Sequence, residues 1–519
     1  MKHHHLSSLL NQDPIPKLQQ IEVSSSFQIP SFQIVGLASQ EIHEAKERVR
    51  SAIEASGLEF PRRRITLNLS PASVRKQGTG SDLAMALAIL KTEHPADTQL
   101  SMEGVAWAEL GLDGRLKCPG QILRAVYAAW AGGKPWIMVS KDAELRARSS
   151  LRWIETSGLM KRAAPIPLLF SAETLVEAWS QLLQGGDSAL VVDLETQNAP
   201  PARNAAPLGP TQLLPLNPIV ERAVSLSAAG AHHLLLLGPR GTGKSHALTW
   251  LTELVPPVDP VGSIFRALAE ELWDPLAEPT ASAPVRRVSS QVRPATLLGS
   301  AQSGSPRPGE FALAHGGLLV ADEFPEWPRD SREALREPLE TAQVILSRVG
   351  GHAVFPARFT FAATGNLCPC GGALDPEAAL PCRCSATTLE RYRQRLSGPI
   401  LDRTDIVLRV DSFIPATEAR NADARLEILR QRVFETRLWC NRTWGNLPTV
   451  LPARSLQEIL DGSQQKPEIN SIQALATLRS RHKAARLALT LAAWNRREQP
   501  TNEDWLEAMS YRPERLGWM

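Results

Sequence analysis

The sequence predicts an α/β chain that ends in a helical segment. Three observations carry that expectation. Short apolar runs alternate with helical patterns from about residue 21 to residue 415. Three of those runs, His233–Leu237, Gly317–Ala321 and Phe359–Ala363, are almost continuously apolar, as strands of a parallel sheet covered on both faces must be. From Ala416 to Met519 only helical periodicities remain.

Taken in order, Ile65–Leu69 alternates as a strand, and Leu83–Leu90 reads as a buried helix opening at a Ser81-Asp82 cap. Ile122–Trp130 has the spacing of an amphipathic helix and Trp136–Val139 that of another strand. Between Gly185 and Gln212 the composition shifts to Gly, Pro, Ala and Asn, the signature of a linker. The expected division is residues 1–184, a linker at 185–212, a parallel-sheet module at 213–415 and a helical segment at 416–519.

The 519 residues suffice for about three domains. With 43% apolar and 21% charged residues, a disordered or fibrous chain is excluded. No run approaches the ~18–20 apolar residues of a membrane span, and Met1-Lys2-His3-His4-His5-Leu6 lacks a signal-peptide core. A cytoplasmic protein without membrane association is expected. Six cysteines, four of them between Cys368 and Cys384, suit a reducing compartment rather than a disulfide scaffold.

A net charge of +3 is too small to imply a nucleic-acid partner, but its make-up is informative. Twelve of the 57 basic residues are lysines, and between Arg162 and Gln465 the sole lysine is Lys244. It lies in Gly238-Pro239-Arg240-Gly241-Thr242-Gly243-Lys244-Ser245, which fits G-x-x-x-x-G-K-[ST]. An apolar strand precedes the motif and a helical pattern, His246–Leu254, follows it. Glycines let successive N–H groups turn inward around a phosphate at a helix N-terminus. Lys244 is expected on the β- and γ-phosphates of a nucleoside triphosphate and Ser245 on Mg²⁺. Leu318–Ala321 then delivers Asp322, to hold the hydrated metal, and Glu323, to polarise the attacking water. Asn366, just past the third apolar run, is placed to orient that water. Arg403 is a candidate to act on a neighbouring subunit's nucleotide; an ordinary ion pair with Asp402 or Asp405 is the alternative.

Cys368-x-Cys370-x₁₁-Cys382-x-Cys384 offers four thiols to a tetrahedral Zn²⁺. Residues 281–309, between the P-loop and the acidic strand, carry Arg286, Arg287, Arg293 and Arg307 with no acid, which suits either a surface that tracks DNA phosphates or solvated loops that happen to be basic. Arg62, Arg63, Arg64, Arg75 and Lys76 form a second acid-free patch; neither is interleaved with aromatics.

Several separated motifs resemble one family in its order: Gly36-Leu37, the segments Glu47–Ile53 and Phe60–Ala72, and Arg307-Pro308-Gly309-Glu310. Ala334–Glu340, Cys368-Pro369-Cys370-Gly371 and Leu396–Arg403 continue the series. From about residue 20 to 515 the chain resembles the bacterial ComM/YifB proteins, magnesium-chelatase-like AAA+ ATPases. The resemblance implies a Lon-protease-type α/β fold at the N-terminus, a P-loop AAA+ module, a C-terminal helical lid and a homo-hexameric ring. It implies sensor 1 at Asn366, the arginine finger at Arg403 and a sensor 2 at Arg479. It also implies a DNA motor driving branch migration on single-stranded or branched DNA during natural transformation. A protein-remodelling or metal-inserting ATPase of the Mg-chelatase/MoxR type is the alternative. The sequence departs from the family at Val288-Ser289-Ser290, at Leu367 and at Ala321. Peptidase chemistry is not expected: Gly80 stands at the nucleophile position, Ser81 one place off, and no lysine lies between Lys117 and Lys134.

Overall fold

The computed structural model describes residues 4–10, 13–36, 40–72, 76, 78–93, 103–157, 159, 165–184, 213–277, 282–302, 305–348, 351–374, 381–396, 398–410, 422–461 and 477–512. The expected linker, 185–212, lies outside the described residues, as does Arg75.

Two sheets organise the molecule. The first uses β1 (His4–Leu10), β2 (Lys17–Ser26), β3 (Ser31–Val35), β4 (Arg64–Ser70) and β5 (Val105–Trp107). A small β6–β7 hairpin (Glu109–Leu110, Leu116–Lys117) follows, then β8 (Trp136–Ser140) and β9 (Leu168–Ala172). Its order is β3-β4-β2-β1-β5-β8-β9, antiparallel where β2 meets β1 and β4 and parallel elsewhere. The expected strands fall inside β4 and β8. Helix Asp82–Glu93 is buried on nearly every side because Leu83–Leu90 has no polar residue to turn outward. The Ser81 hydroxyl does not serve the cap role expected of it; it is taken by Gln19 Nε2 at 2.6 Å and Ser8 Oγ at 3.3 Å.

The second sheet comprises β10 (Leu234–Leu237), β11 (Val285–Val288), β14 (Leu318–Ala321), β17 (Thr360–Gly365) and β18 (Ile406–Arg409). Between them lie two hairpins, β12–β13 (Gly299–Gln302, Ser305–Pro308) and β15–β16 (Gln343–Arg348, Gly351–Pro356). All four pairings in the order β11-β14-β17-β10-β18 are parallel, as the continuous apolar runs require. The third strand begins at Thr360 and runs through Gly365, two residues beyond the expected end, because Gly238 N–H continues its ladder onto Gly365 O at 3.1 Å. Helices Ala422–Trp444, Ala453–Asp461, Leu478–Trp494 and Asn502–Ser510 follow, with no strand among the described residues after β18.

Helix Pro260–Trp273 joins the two blocks. Ile264, Ala267 and Leu268 sit in one apolar cluster with Leu9, Val105, Val126 and Trp130. Glu271 accepts from Leu123 N–H (3.1 Å) and Arg124 N–H (2.9 Å), capping the helix Ile122–Ala131 from the other block. The fully buried Arg124 guanidinium donates to Leu268 O at 2.7 Å and Pro14 O at 3.0 Å, and to Asp13 O. Burial raises the Glu271 pKa to about 7, against the pull of these N–H donors.

Candidate nucleotide site

β10 hands the chain to Gly238, whose Cβ, if it had one, would fall 2.0 Å from Val410 O; only glycine passes there. Gly241 and Gly243 adopt φ of +79° and +80°, the left-handed region that favours glycine. Gly243 is the N-cap of helix Lys244–Leu254, so the loop ends on exposed N–H groups at the positive end of a helix. Lys244 is 9% exposed and donates from Nζ to Gly238 O (2.9 Å) and Pro239 O (2.6 Å). Burial lowers its pKa to about 8, while Asp322 and Glu323 pull the other way. Thr242 Oγ1 braces the turn through Pro239 O at 3.0 Å.

β17 lies between the P-loop strand β10 and the acidic strand β14. Ser245 Oγ reaches both carboxylate oxygens of Asp322, at 3.2 and 3.1 Å. Thr364 on β17 donates to Asp322 and accepts from Glu323 N–H at 3.1 Å. Sequence reading missed Thr364; its position two residues before Asn366 was the available signal. Glu323 itself holds φ of 51°, an unfavourable conformation for a residue with a side chain, and leaves its carboxylate exposed. Asn366 follows β17 immediately and is 9% exposed. A hydroxyl, a carboxylate pair, an amide and a buried ammonium thus converge at one end of three adjacent strands, a set able to hold a metal-bound triphosphate and steer water onto it.

The cysteine segment sits on this loop. Arg240 N–H donates to Gly371 O at 2.9 Å, and Gly371, at φ +75°, leaves room for the Arg240 side chain, which a Cβ would meet at 2.4 Å. The four thiol sulfurs of Cys368, Cys370, Cys382 and Cys384 lie within 4.8 Å of one another. Tetrahedral Zn²⁺ with Zn–S of about 2.3 Å demands S···S near ~3.8 Å; Cys370 and Cys382 are at 3.8 Å and Cys368 and Cys370 at 3.2 Å. N–H groups of Arg383 and Gly372 draw the Cys370 thiol below its ordinary pKa, which favours the ligating thiolate. The donor set fits the ion.

Arg403 and Arg479 are brought together on one carboxylate. Both donate to Glu340: Arg479 at 2.5 Å, and Arg403, which also donates to Pro399 O at 2.9 Å. The Arg479 guanidinium, expected as a sensor 2, is turned to the carboxylate that also holds Arg403. Neither Asp402 nor Asp405 pairs with Arg403. Asp405 is instead buried against Lys483 (3.0 Å) of helix Leu478–Trp494, whose attachment Arg512 completes by donating to Thr404 O at 2.6 Å. Glu340 went unrecognised in the sequence although it closes the Ala334–Glu340 motif.

The arginines expected to track DNA phosphates differ in their surroundings. Arg286 and Arg287 lie in strand β11, and Arg286 makes a two-toothed ion pair with Glu310, at 2.6 and 2.9 Å. The segment is acid-free in sequence only; the fold returns Glu310 to it. Arg287, 3.4 Å from Thr252 Oγ1, and Arg293, before helix Pro294–Leu298, are exposed. Lys76 leaves the second basic patch as well, being 1% exposed and bonded to Pro71 O.

At the first sheet, a Cβ on Gly80 would lie 2.5 Å from the Trp107 ring, and Trp107 Nε1 is fixed on Gly120 O at 2.9 Å. No serine fits at that position, and the Ser81 hydroxyl, bonded to Gln19 and Ser8, is 2% exposed.

A parallel sheet with a glycine-rich phosphate loop on one strand and an acidic pair on a nearby one defines a P-loop ATPase. Comparison with known proteins agrees. The family model described as "Magnesium chelatase, subunit ChlI" matches residues 217–418, and "Subunit ChlI of Mg-chelatase" matches residues 21–143. YifB of Escherichia coli is 30% identical over 518 residues, covering 95% of this chain and 93% of its own. YifB of Salmonella typhimurium is 31% identical over 506 residues, with 95% and 93% covered. Competence protein ComM of Haemophilus influenzae is 29% identical over 510 residues, with 95% and 94% covered. The chain belongs to the ComM/YifB family of magnesium-chelatase-like AAA+ ATPases, and that membership implies ATP and Mg²⁺ as its cofactors. No helix among the described residues is long and apolar enough to cross a membrane.

Proposed function

We propose that the protein is a cytoplasmic, homo-hexameric motor that hydrolyses ATP to move single-stranded or branched DNA, as in branch migration. The layout is a Lon-type block that does no proteolysis, an AAA+ module and a helical lid. Gly238 to Ser245 cradle the phosphates, Lys244 neutralises them, Ser245 and Asp322 hold Mg²⁺, and Glu323 with Asn366 directs the attacking water. Arg403 reaches the adjoining subunit's nucleotide, and Arg479 accompanies it. The carrying observation is the clamp of both arginines on the single carboxylate of Glu340. A charge pair held there is available to a neighbour, and its rupture when a γ-phosphate competes with Glu340 couples adjacent sites. The cysteine set holds one structural Zn²⁺. DNA as substrate is supported by the likeness to competence protein ComM.

A second reading, a remodelling or metal-inserting ATPase acting on a protein, is favoured by the magnesium-chelatase description of both family models. ATP turnover by purified protein, with synthetic four-way and three-strand junctions or without, separates the two. Stimulation by junctions and ATP-dependent strand exchange, lost in Glu323→Gln, supports the motor. Turnover indifferent to every DNA overturns it.

A further inference from the structure

Two of the most exposed large apolar side chains among the described residues sit in one short turn. Phe27 is 87% and Ile29 86% exposed, and both lie in Phe27-Gln28-Ile29-Pro30, the connection from β2 to β3. β4 runs between these two strands. Ser26 pairs with Arg64 on one side and Ser31 pairs with Arg64 on the other. The turn therefore passes over the end of β4, where Arg62-Arg63-Arg64 enters the sheet. Sequence distance had hidden this, since the arginines are separated from Phe27 along the chain and their patch seemed to lack an aromatic.

The local chemistry is specific. Arg63 stacks its guanidinium 4.2 Å from the Phe27 ring centroid and lies 3.7 Å from Glu93. Arg64 donates to Gln28 Oε1 at 3.0 Å, which ties the turn to the arginine run. Arg62 and Arg64 make no ion pair among the described residues, and Arg62 and Arg64 are exposed. An aromatic face, an adjacent branched apolar side chain and two uncompensated cations share one edge. Exposed apolar side chains grouped at such a spot mark a binding surface. The positive charge decides the occupant: unpaired nucleotides supply a π face for Phe27 and phosphates for Arg62 and Arg64 together.

We infer that the β2–β3 turn, with Phe27, Ile29, Arg62 and Arg64, is a contact site for single-stranded nucleic acid, in which a base stacks on Phe27 while the arginines hold the flanking phosphates. The site rests on the DNA-motor reading and gives the first sheet a task in it.

The test is fluorescence anisotropy of a labelled oligothymidylate with the full-length chain over a range of salt. Phe27→Ser with Ile29→Ser is expected to weaken binding about tenfold or more without changing the salt slope, because stacking is lost and no counterion is involved. Phe27→Trp keeps the affinity. Arg62→Ser with Arg64→Ser flattens the slope of log K against log salt by about 1–2. The thermal midpoint of each variant stays close to that of the parent, since all four side chains are exposed and none belongs to the buried core. If the parent binds the oligonucleotide and the Phe27/Ile29 variant stays within about twofold of it, the site is overturned while the motor reading stands. A change of assembly size in sedimentation with no change in binding overturns it too, assigning the turn to a subunit contact. If the parent hydrolyses ATP yet binds no DNA, the motor reading fails and takes the site with it.

Discussion

Two glycine-rich turns, one at each sheet, show how alike two segments can look and how differently they end. Gly78-Thr79-Gly80-Ser81-Asp82 and Gly238 to Ser245 both lead into helices. At the second turn Gly241 has nothing within 4 Å of where a Cβ would be, and the space faces outward. At the first, Gly80 is small because Trp107 fills the volume from inside. One glycine keeps room for a ligand and the other for a neighbour. The chemistry follows that difference: an ammonium and two acids surround the open turn, whereas Ser81 beside the filled one is spent on Gln19 and Ser8.

The largest test of the contrast is Glu323→Gln, which should lower ATP turnover by about 10³-fold while nucleotide binding persists, read by steady-state kinetics and a fluorescent nucleotide. Retained turnover would remove the open turn from catalysis. Next, Gly80→Ser should cost about 1–3 kcal/mol in chemical denaturation by overpacking Trp107 and create no reactivity toward serine reagents. An unchanged stability would mean the turn is not filled.

The pH dependence of the open turn comes third. The Lys244 pKa sits near about 8 and phosphate binding needs the protonated form, so affinity is full below it and falls as pH rises through it. Between pH 7 and pH 9 ATP affinity should drop by about tenfold, measured by titration calorimetry. A flat profile would show that the lysine is not the phosphate ligand. Smallest is Gly241→Ala: at φ +79° it should cost about 1 kcal/mol of stability, a strain effect without a steric one.

What was legible in the sequence was local. The P-loop and the acidic pair were found because their chemistry is contiguous and their strands are apolar throughout, and Lys244 stood alone among arginines. Asn366 was singled out as a residue just past a strand, and the structure does place it there. The rest depends on returns of the chain. Glu310 neutralises Arg286 from 24 positions away, and Glu340 lies 63 from Arg403 and 139 from Arg479. No periodicity encodes such partners. Thr364 was hidden for a different reason: it lies one residue past the apolar run Phe359–Ala363, in the part of the strand that the run does not reach.

The cap that Glu271 places on the helix Ile122–Ala131 has a mechanical consequence. To hinge the two blocks there, the protein must strip two amide donors from a buried carboxylate and take the Leu268 carbonyl from the Arg124 cation, a penalty on the order of several kcal/mol. Bending at that seam is thus costly, and helix Pro260–Trp273 behaves as a rigid axle. Any displacement of helix Pro260–Trp273 would therefore carry the first sheet, and its exposed β2–β3 tip, along with it.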